Sequence, residues 1–451
     1  MLLWKVKAEG LAHLSYLIGS EGQAAVVDPR RDCQVYLDLA REHGMVISYI
    51  LETHRNEDYV TGSRELQALT GAAVLHGDLD FGYGERVRDG QEIRLGQVTV
   101  RAMETPGHTP ESVCYAVVDN TAGPEVVAVF TGDTLFVGDV GRTDLFGLER
   151  IDELSAWQYD SLFHRLLPLG DRTIILPAHG AGSACGSAIG TREDSTIGLE
   201  RAQNPALMVS GKEEFIALKR REAFEMPPYF CRMEDVNLRG QPVLGHLPRV
   251  PPMAPAEVGA RRDLVLVDIR SPPAFAASHI AGSVSLPQEI LPHYSGWVLP
   301  YGRPLVLVAE ATAQLDSAVR ALVRVGYDDI VGHVREGMAG WYNAGLPTAH
   351  FDALTATELH ERSRREAFFF LDIRLEKEWR EGHVEGAHHI FVGHLPSRIE
   401  EVPADRPVAV LCSTGQRGSL AASILKAHGR EPINLLGGMG GWSQAGLPVV
   451  R

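Results

Sequence analysis

The sequence predicts a multidomain α/β protein: a sheet-on-sheet sandwich with helices outside, followed by two smaller α/β modules with parallel sheets. Up to Gly180 the chain is strand after strand, each closing on something polar, with helical stretches between. Beyond residue 245 it repeats itself. LVDIRSPPAFAASHIAG (Leu266 to Gly282) matches FLDIRLEKEWREGHVEG (Phe370 to Gly386), and GMAGW ending at Trp341 recurs as GMGGW ending at Trp442, each leading into Ala-Gly-Leu-Pro. Two copies of one module of about a hundred residues follow, a domain-sized duplication. Within each copy strands such as PVAVLC alternate with helices such as SLAASILKAHG, the mark of a parallel sheet wrapped by helices.

Taken in order, AHLSYLIGS and AAVVDP read as paired strands, and ISYILETH as a buried strand that ends in His54. SRELQALTG has helical spacing at Leu66 and Leu69 and closes on Gly71. AAVLHG, the turn VRDGQEIRLG, VTVRAMETPGH, SVCYAVVD and EVVAVFTGD continue the strands. Helical SAWQYDSLFHRLLPLG precedes the strand TIILPAHG. The mixed stretch 185–245, with helical KEEFIALKRREAF and then MPPYF, reads as an arm and linker. The expected domains are therefore 1–245, 246–350 and 351–451.

Composition narrows the function. A net charge of -15 spread over 451 residues argues against nucleic acid or an anionic membrane as partner, since both reward a concentrated positive face. No stretch approaches the roughly 20 apolar residues of a membrane span, and none behind the first lysines has signal-peptide length. A cytoplasmic protein is expected, assembled as a homo-oligomer. Cysteines 33, 114, 185, 231 and 412 are odd in number and lack a C-x-x-C, so neither a disulfide framework nor a zinc knuckle is indicated.

The stretch THRNEDYVTG reads as a damaged H-x-H-x-D-H metal turn: His54 and Asp58 stand in place, while Asn56 and Tyr59 occupy the other two histidine positions. Three further ligand-type residues follow at strand ends: His108 in TPGHTPES, Asp133 in FTGDTLF and His179 in LPAHG. With these five motifs in this order, residues 1 to 200 resemble the metallo-beta-lactamase fold, an αββα sandwich. GDVGRTD (Gly138 to Asp144) resembles its persulfide dioxygenase branch. In that fold seven positions, here 54, 56, 58, 59, 108, 133 and 179, serve two metals, and zinc hydrolases of the glyoxalase II kind use both to activate a bridging hydroxide. Asn56 and Tyr59 remove one histidine from each site, which disfavours a dinuclear hydrolase of thioesters.

His54, His108 and Asp133 remain, the two-histidine, one-carboxylate facial set of non-haem iron oxygenases, with three positions open for a thiolate-type substrate, dioxygen and water. The resemblance implies one Fe(II) per chain on these three residues. Asn56 lines the site and can orient His54 or a bound water. Asp58, Tyr59 and His179 stand in the surrounding shell; Tyr59 either donates to a substrate sulfur or fills space. Arg142 either receives a substrate carboxylate, such as glutathione presents, or pairs with Asp144. A decayed site with buried, merely hydrogen-bonded histidines is the alternative. His76, His164, His388 and His389 lack this context, and Cys185 lies close enough in sequence to His179 to approach the metal mouth.

In the last module a strand ends at Cys412 and a helix begins directly after it. Backbone N–H groups at that helix start, with Arg417, are expected to lower the thiol pKa. The module resembles a rhodanese, which carries a persulfide on this cysteine. Cysteine phosphatases place five residues between cysteine and arginine, whereas Cys412 and Arg417 have four between, a tighter ring suited to one sulfur. In the first copy Ala309 takes the cysteine's place, so that copy is expected to act as a spacer or docking surface.

The resemblances together imply a fusion that oxidises a low-molecular-weight persulfide, such as glutathione persulfide, with O2 to sulfite and thiol. Cys412 and Arg417 would move sulfane sulfur between thiosulfate or sulfite and a thiol. A zinc thioester hydrolase, or a sulfurtransferase on an inactive scaffold, are the alternatives.

Overall fold

A computed structural model of the protein describes residues 1–222 and 224–451, which form two compact units. The first, residues 1–246 with 323–326, holds two six-stranded sheets. One is β1 (Leu2–Ala8), β2 (His13–Ser20), β3 (Gln23–Val27), β4 (Val46–Leu51), β5 (Ala73–His76) and β6 (Glu85–Arg86), in that spatial order, antiparallel as far as β3 and parallel beyond it. The other is β7 (Glu92–Leu95), β8 (Val98–Glu104), β9 (Val113–Asp119), β10 (Val126–Gly132), β11 (Ile174–Pro177) and β12 (Ser195–Thr196), antiparallel except for the β10/β11 pair.

Alternating side chains from both sheets meet in the middle: Tyr16, Val27 and Leu51 from one, Val98, Tyr115 and Phe130 from the other. The opposite faces are covered by helices. Gln34–Glu42 and Ser63–Thr70 pack on the first sheet through Tyr36 and Leu66, and the segment after Ile151–Asp160 packs on the second through Leu162 and Leu166. This is the αββα sandwich expected, and Ser63–Thr70 closes on a left-handed Gly71 as its sequence foretold. The stretch read as arm and linker also holds a helix, Phe230–Arg239, that the sequence reading did not foresee.

The second unit, residues 247–322 and 327–451, contains two all-parallel five-stranded sheets with the same strand order. Pro252–Met253, Ile330–Val334, Leu305–Val308, Val265–Asp268 and Val284–Ser285 form one; Asp352–Leu354, Pro432–Leu435, Val408–Leu411, Phe369–Asp372 and His388–His389 form the other. The copies pack on each other. Ser285 Oγ lies 2.7 Å from Ser419 Oγ, and Trp297 meets Phe391 edge to face at 5.1 Å. Gly393 abuts that indole so closely that a Cβ would lie 2.2 Å from it. Among the described residues no helix is long and apolar enough to cross a membrane.

Candidate metal centre and cysteine loop

Strand ends deliver the side chains of the first unit's site. β8, β10 and β11 run the same way, and the loops that follow them carry His108, Asp133 and His179, while His54 follows β4. Gly132, at φ +50° and with its ideal Cβ position 2.6 Å from Thr53 Oγ1, lets β10 close onto the turn before His54.

Hydrogen bonds fix the imidazole tautomers. Asp28 accepts from the Thr53 N–H and from its hydroxyl, both at 2.8 Å, so the Thr53 oxygen accepts from His54 Nδ1–H at 2.9 Å. The Arg142 carbonyl accepts from His108 Nδ1–H at 2.9 Å. Both Nε2 atoms therefore face a common centre, 3.7 and 3.5 Å from Asp133 Oδ2, and the three donor atoms lie within 4.8 Å of one another. All three residues are buried, and His54 Nε2 has no hydrogen-bond partner among the described residues. Such a set of converging N and O donors, with His54 Nε2 orphaned among them, fits one first-row divalent ion. Burial pushes His54 down to about 4, leaving its lone pair free, whereas Glu57 and Asp133 outweigh burial at His108 and hold it near 9.

Asp58, His179 and Cys185 form a second cluster, their ligand atoms also within 4.8 Å of one another. His179 spans two carboxylates, with Nδ1 2.8 Å from Asp133 Oδ1 and Nε2 3.0 Å from Asp58 Oδ2. Against its burial, these raise its pKa well above the usual value. Asn56 Nδ2 donates to the His54 carbonyl at 3.2 Å and ties the turn. Tyr59 is buried, its ring 4.0 Å from that of His13, and its hydroxyl lacks a partner among the described residues. Of the two roles open for Arg142, the geometry forms the pair: its guanidinium grips Asp144 at 2.6 and 2.8 Å and donates to the Ala184 and Glu225 carbonyls. Arg142 thus pins the loop that carries Cys185. A cleft of about 230 Å³, with His13, His179, Lys7 and Arg192 among its lining, opens beside the site.

In the second unit, Cys412 ends a strand and its sulfur accepts from the N–H groups of Gly415 at 3.0 Å and Gly418 at 3.3 Å. Gly415, at φ +96°, turns the loop into the helix Gln416–Ala427. Arg417 makes a bidentate pair with Glu378 at 2.7 and 2.8 Å and bonds Ser413. The expectation of a lowered thiol pKa is corrected here. Burial pushes Cys412 above its ordinary value, and the pull of Arg417 and the loop N–H groups does not offset it. From the cysteine-less copy, Tyr294 reaches over and its phenol oxygen accepts from Arg417.

The metallo-beta-lactamase superfamily profile matches residues 8–179, and the rhodanese-like domain profile matches 255–344 and 355–445. The mitochondrial persulfide dioxygenase ETHE1 of Homo sapiens is 30% identical over 234 residues, 50% of this chain and 83% of that protein. The chain belongs to the metallo-beta-lactamase superfamily. Two rhodanese-like domains are fused behind that domain. A hydroxyacylglutathione hydrolase of Methylococcus capsulatus is also 30% identical, over 54% of this chain and 90% of its own length. The solved metallo-beta-lactamase of Staphylococcus aureus superposes with a TM-score of 0.66 at 28% identity, covering 74% of this chain and 98% of that one.

Several residues that shape the two sites escaped the sequence reading. Glu57 lies inside the metal turn yet resembles any loop acid; only its place between His54 and Asp58 marks it. Asp28 and Thr53 sit at strand ends, and Glu378 stands far upstream of the rhodanese cysteine it serves through Arg417.

Proposed function

We propose that the metallo-beta-lactamase domain is a mononuclear iron dioxygenase acting on a low-molecular-weight persulfide such as glutathione persulfide. In this reading the second rhodanese-like domain moves sulfane sulfur through Cys412 in the same cytoplasmic chain. One observation carries the reading: His54, His108 and Asp133 bring one ligand atom each to within 4.8 Å of one another, two imidazoles and one carboxylate. Persulfide, dioxygen and water would give sulfite, thiol and protons. Bound at these residues, ferrous iron would supply the one-electron chemistry that lets dioxygen react with a closed-shell sulfur anion.

The chain's own residues prepare the site. Thr53 and the Arg142 carbonyl hold the imidazoles with Nε2 inward, and His179 orients Asp133. Burial of the whole cluster keeps bulk water away from the reacting sulfur. At Cys412 the thiol would give up its proton to solvent and its sulfur would attack the outer sulfur of thiosulfate, with the S–S bond pair leaving on sulfite. The loop N–H groups then hold the charge that returns when the persulfide sulfur passes to a thiol. The reverse transfer, onto sulfite, uses the same groups.

The similarity to a hydroxyacylglutathione hydrolase favours a second reading, a zinc thioester hydrolase. Metal analysis and an oxygen electrode separate the two. The purified protein should hold iron and consume oxygen with glutathione persulfide, and Asp133→Ala should lose both. Zinc in place of iron, with thioester cleavage and no oxygen uptake, would overturn the dioxygenase.

A further inference from the structure

We propose that Glu57 is a fourth protein ligand of the metal centre, giving a site of two histidines and two carboxylates for a first-row divalent ion. The inference rests on the reading of His54, His108 and Asp133 as metal ligands. Glu57 is fully buried. Its Oε1 lies 3.2 Å from His108 Nε2 and its Oε2 3.9 Å from His54 Nε2, on the side of the rings that faces the common centre. A Glu57 oxygen is also within 4.8 Å of an Asp133 oxygen and of Cys185 Sγ. Oε2 has no hydrogen-bond partner among the described residues.

A buried carboxylate oxygen with no donor is costly unless a cation completes its surroundings, and a metal ion at this centre would do so. The side chain is also held in place. Cys185 donates its thiol proton to Oε1 at 3.1 Å, and the Cys185 loop is itself anchored by Arg142, whose N–H donates to the Cys185 carbonyl at 2.9 Å. Two carboxylates match the charge of a divalent ion. They would leave the ion fewer positions for substrate than three protein ligands would. Glu57 stands in the same turn as Asn56 and Tyr59, which occupy the two positions that lack histidine.

The test is a titration of the metal-free full-length protein with Co(II), followed by its visible absorption, on wild type, Glu57→Gln, Glu57→Ala and Asp133→Ala. Glutamine keeps the size of Glu57 and still accepts from Cys185, so it isolates the charge. Both Glu57 variants should bind Co(II) more than about a hundredfold more weakly, beyond the roughly ten- to hundredfold cost of losing a residue that only hydrogen-bonds a ligand, with a shifted spectrum. Wild-type affinity and an unchanged spectrum in Glu57→Gln, beside lost binding in Asp133→Ala, would overturn the fourth ligand alone. Absence of Co(II) binding in the wild type would overturn the ligand set as a whole. Oxygen uptake is not read, so the nature of the substrate does not enter the outcome.

Discussion

In both rhodanese-like copies the aspartate ending a central strand clasps an arginine two residues on, Asp268 with Arg270 at 2.7 Å and Asp372 with Arg374 at 2.6 Å. Each arginine also bonds a carbonyl eight residues ahead, of Ser278 and of Gly382. Trp341 and Trp442 each donate from Nε1 to a proline carbonyl six residues on, at 3.0 Å. The strand Leu305–Val308 and helix Ala313–Arg324 of the first copy occupy the places of Val408–Leu411 and Gln416–Ala427 in the second. What differs is what surrounds the sulfur. Ala309, Thr312, Gln314 and Ala274 stand where Cys412, Gly415, Arg417 and Glu378 stand. Residues that hold this fold and residues gathered round the sulfur form two separable sets, and the first copy carries only the former.

Substitutions that break this contrast rank by size. Cys412→Ser should reduce thiosulfate-to-thiol sulfur transfer by about a thousandfold or more, the scale of losing a nucleophile, with no residual rate from the other copy. A measurable remainder would mean that the first copy still reacts. Asp268→Ala and Asp372→Ala should each cost about 3 kcal/mol in urea unfolding, because each strands a buried guanidinium. Unequal costs would show that the shared clasp does not serve the two copies alike. Tyr294→Phe, in the first copy, should lower sulfur transfer by about tenfold, the worth of one hydrogen bond to a charged group, without moving the unfolding midpoint.

Acid should separate the copies more mildly. Burial opposes ionisation of Glu378, but Arg417 and Ser413 hold it down at about 2. A carboxylate so depressed contributes stability that is full above its usual value near 4.5 and is lost as pH falls through 2. Amide exchange at residues 413–418 should therefore accelerate over that window, while residues 309–314, with Ala274 in place of the glutamate, should show no such step. Glu378→Gln should flatten the response. The smallest effect belongs to Ala309→Cys: a thiol alone, without Gly415 and Arg417 equivalents, should add no sulfur transfer to a Cys412→Ser chain.

The repeated Asp-Ile-Arg and Gly-Met-x-Gly-Trp elements were legible because each bond they make lies within eight residues. His54, His108, Asp133 and His179 were legible for a different reason: strand-ending ligand residues came in a recognisable order. The inward aim of Glu57 was not, since a loop acid reads as solvated until tertiary packing from the Cys185 loop buries it. The thiol pKa was misjudged for the same cause. The helix start and Arg417 are visible locally, while the burial that outweighs them is assembled from strands and from Tyr294 in a distant segment. Arg142 could not be decided from its neighbours, because Asp144 and a substrate carboxylate offer it the same fork.

Gly393 ties the second copy to the first. The indole of Trp297 lies where any larger residue at 393 would have to go, so the surface of the second copy is moulded as a negative of the first. A truncated chain starting at residue 351 would bare an aromatic-shaped dent beside Phe391 and would gain solubility only by refilling it. The first copy's bulk therefore serves the second whatever chemistry either performs.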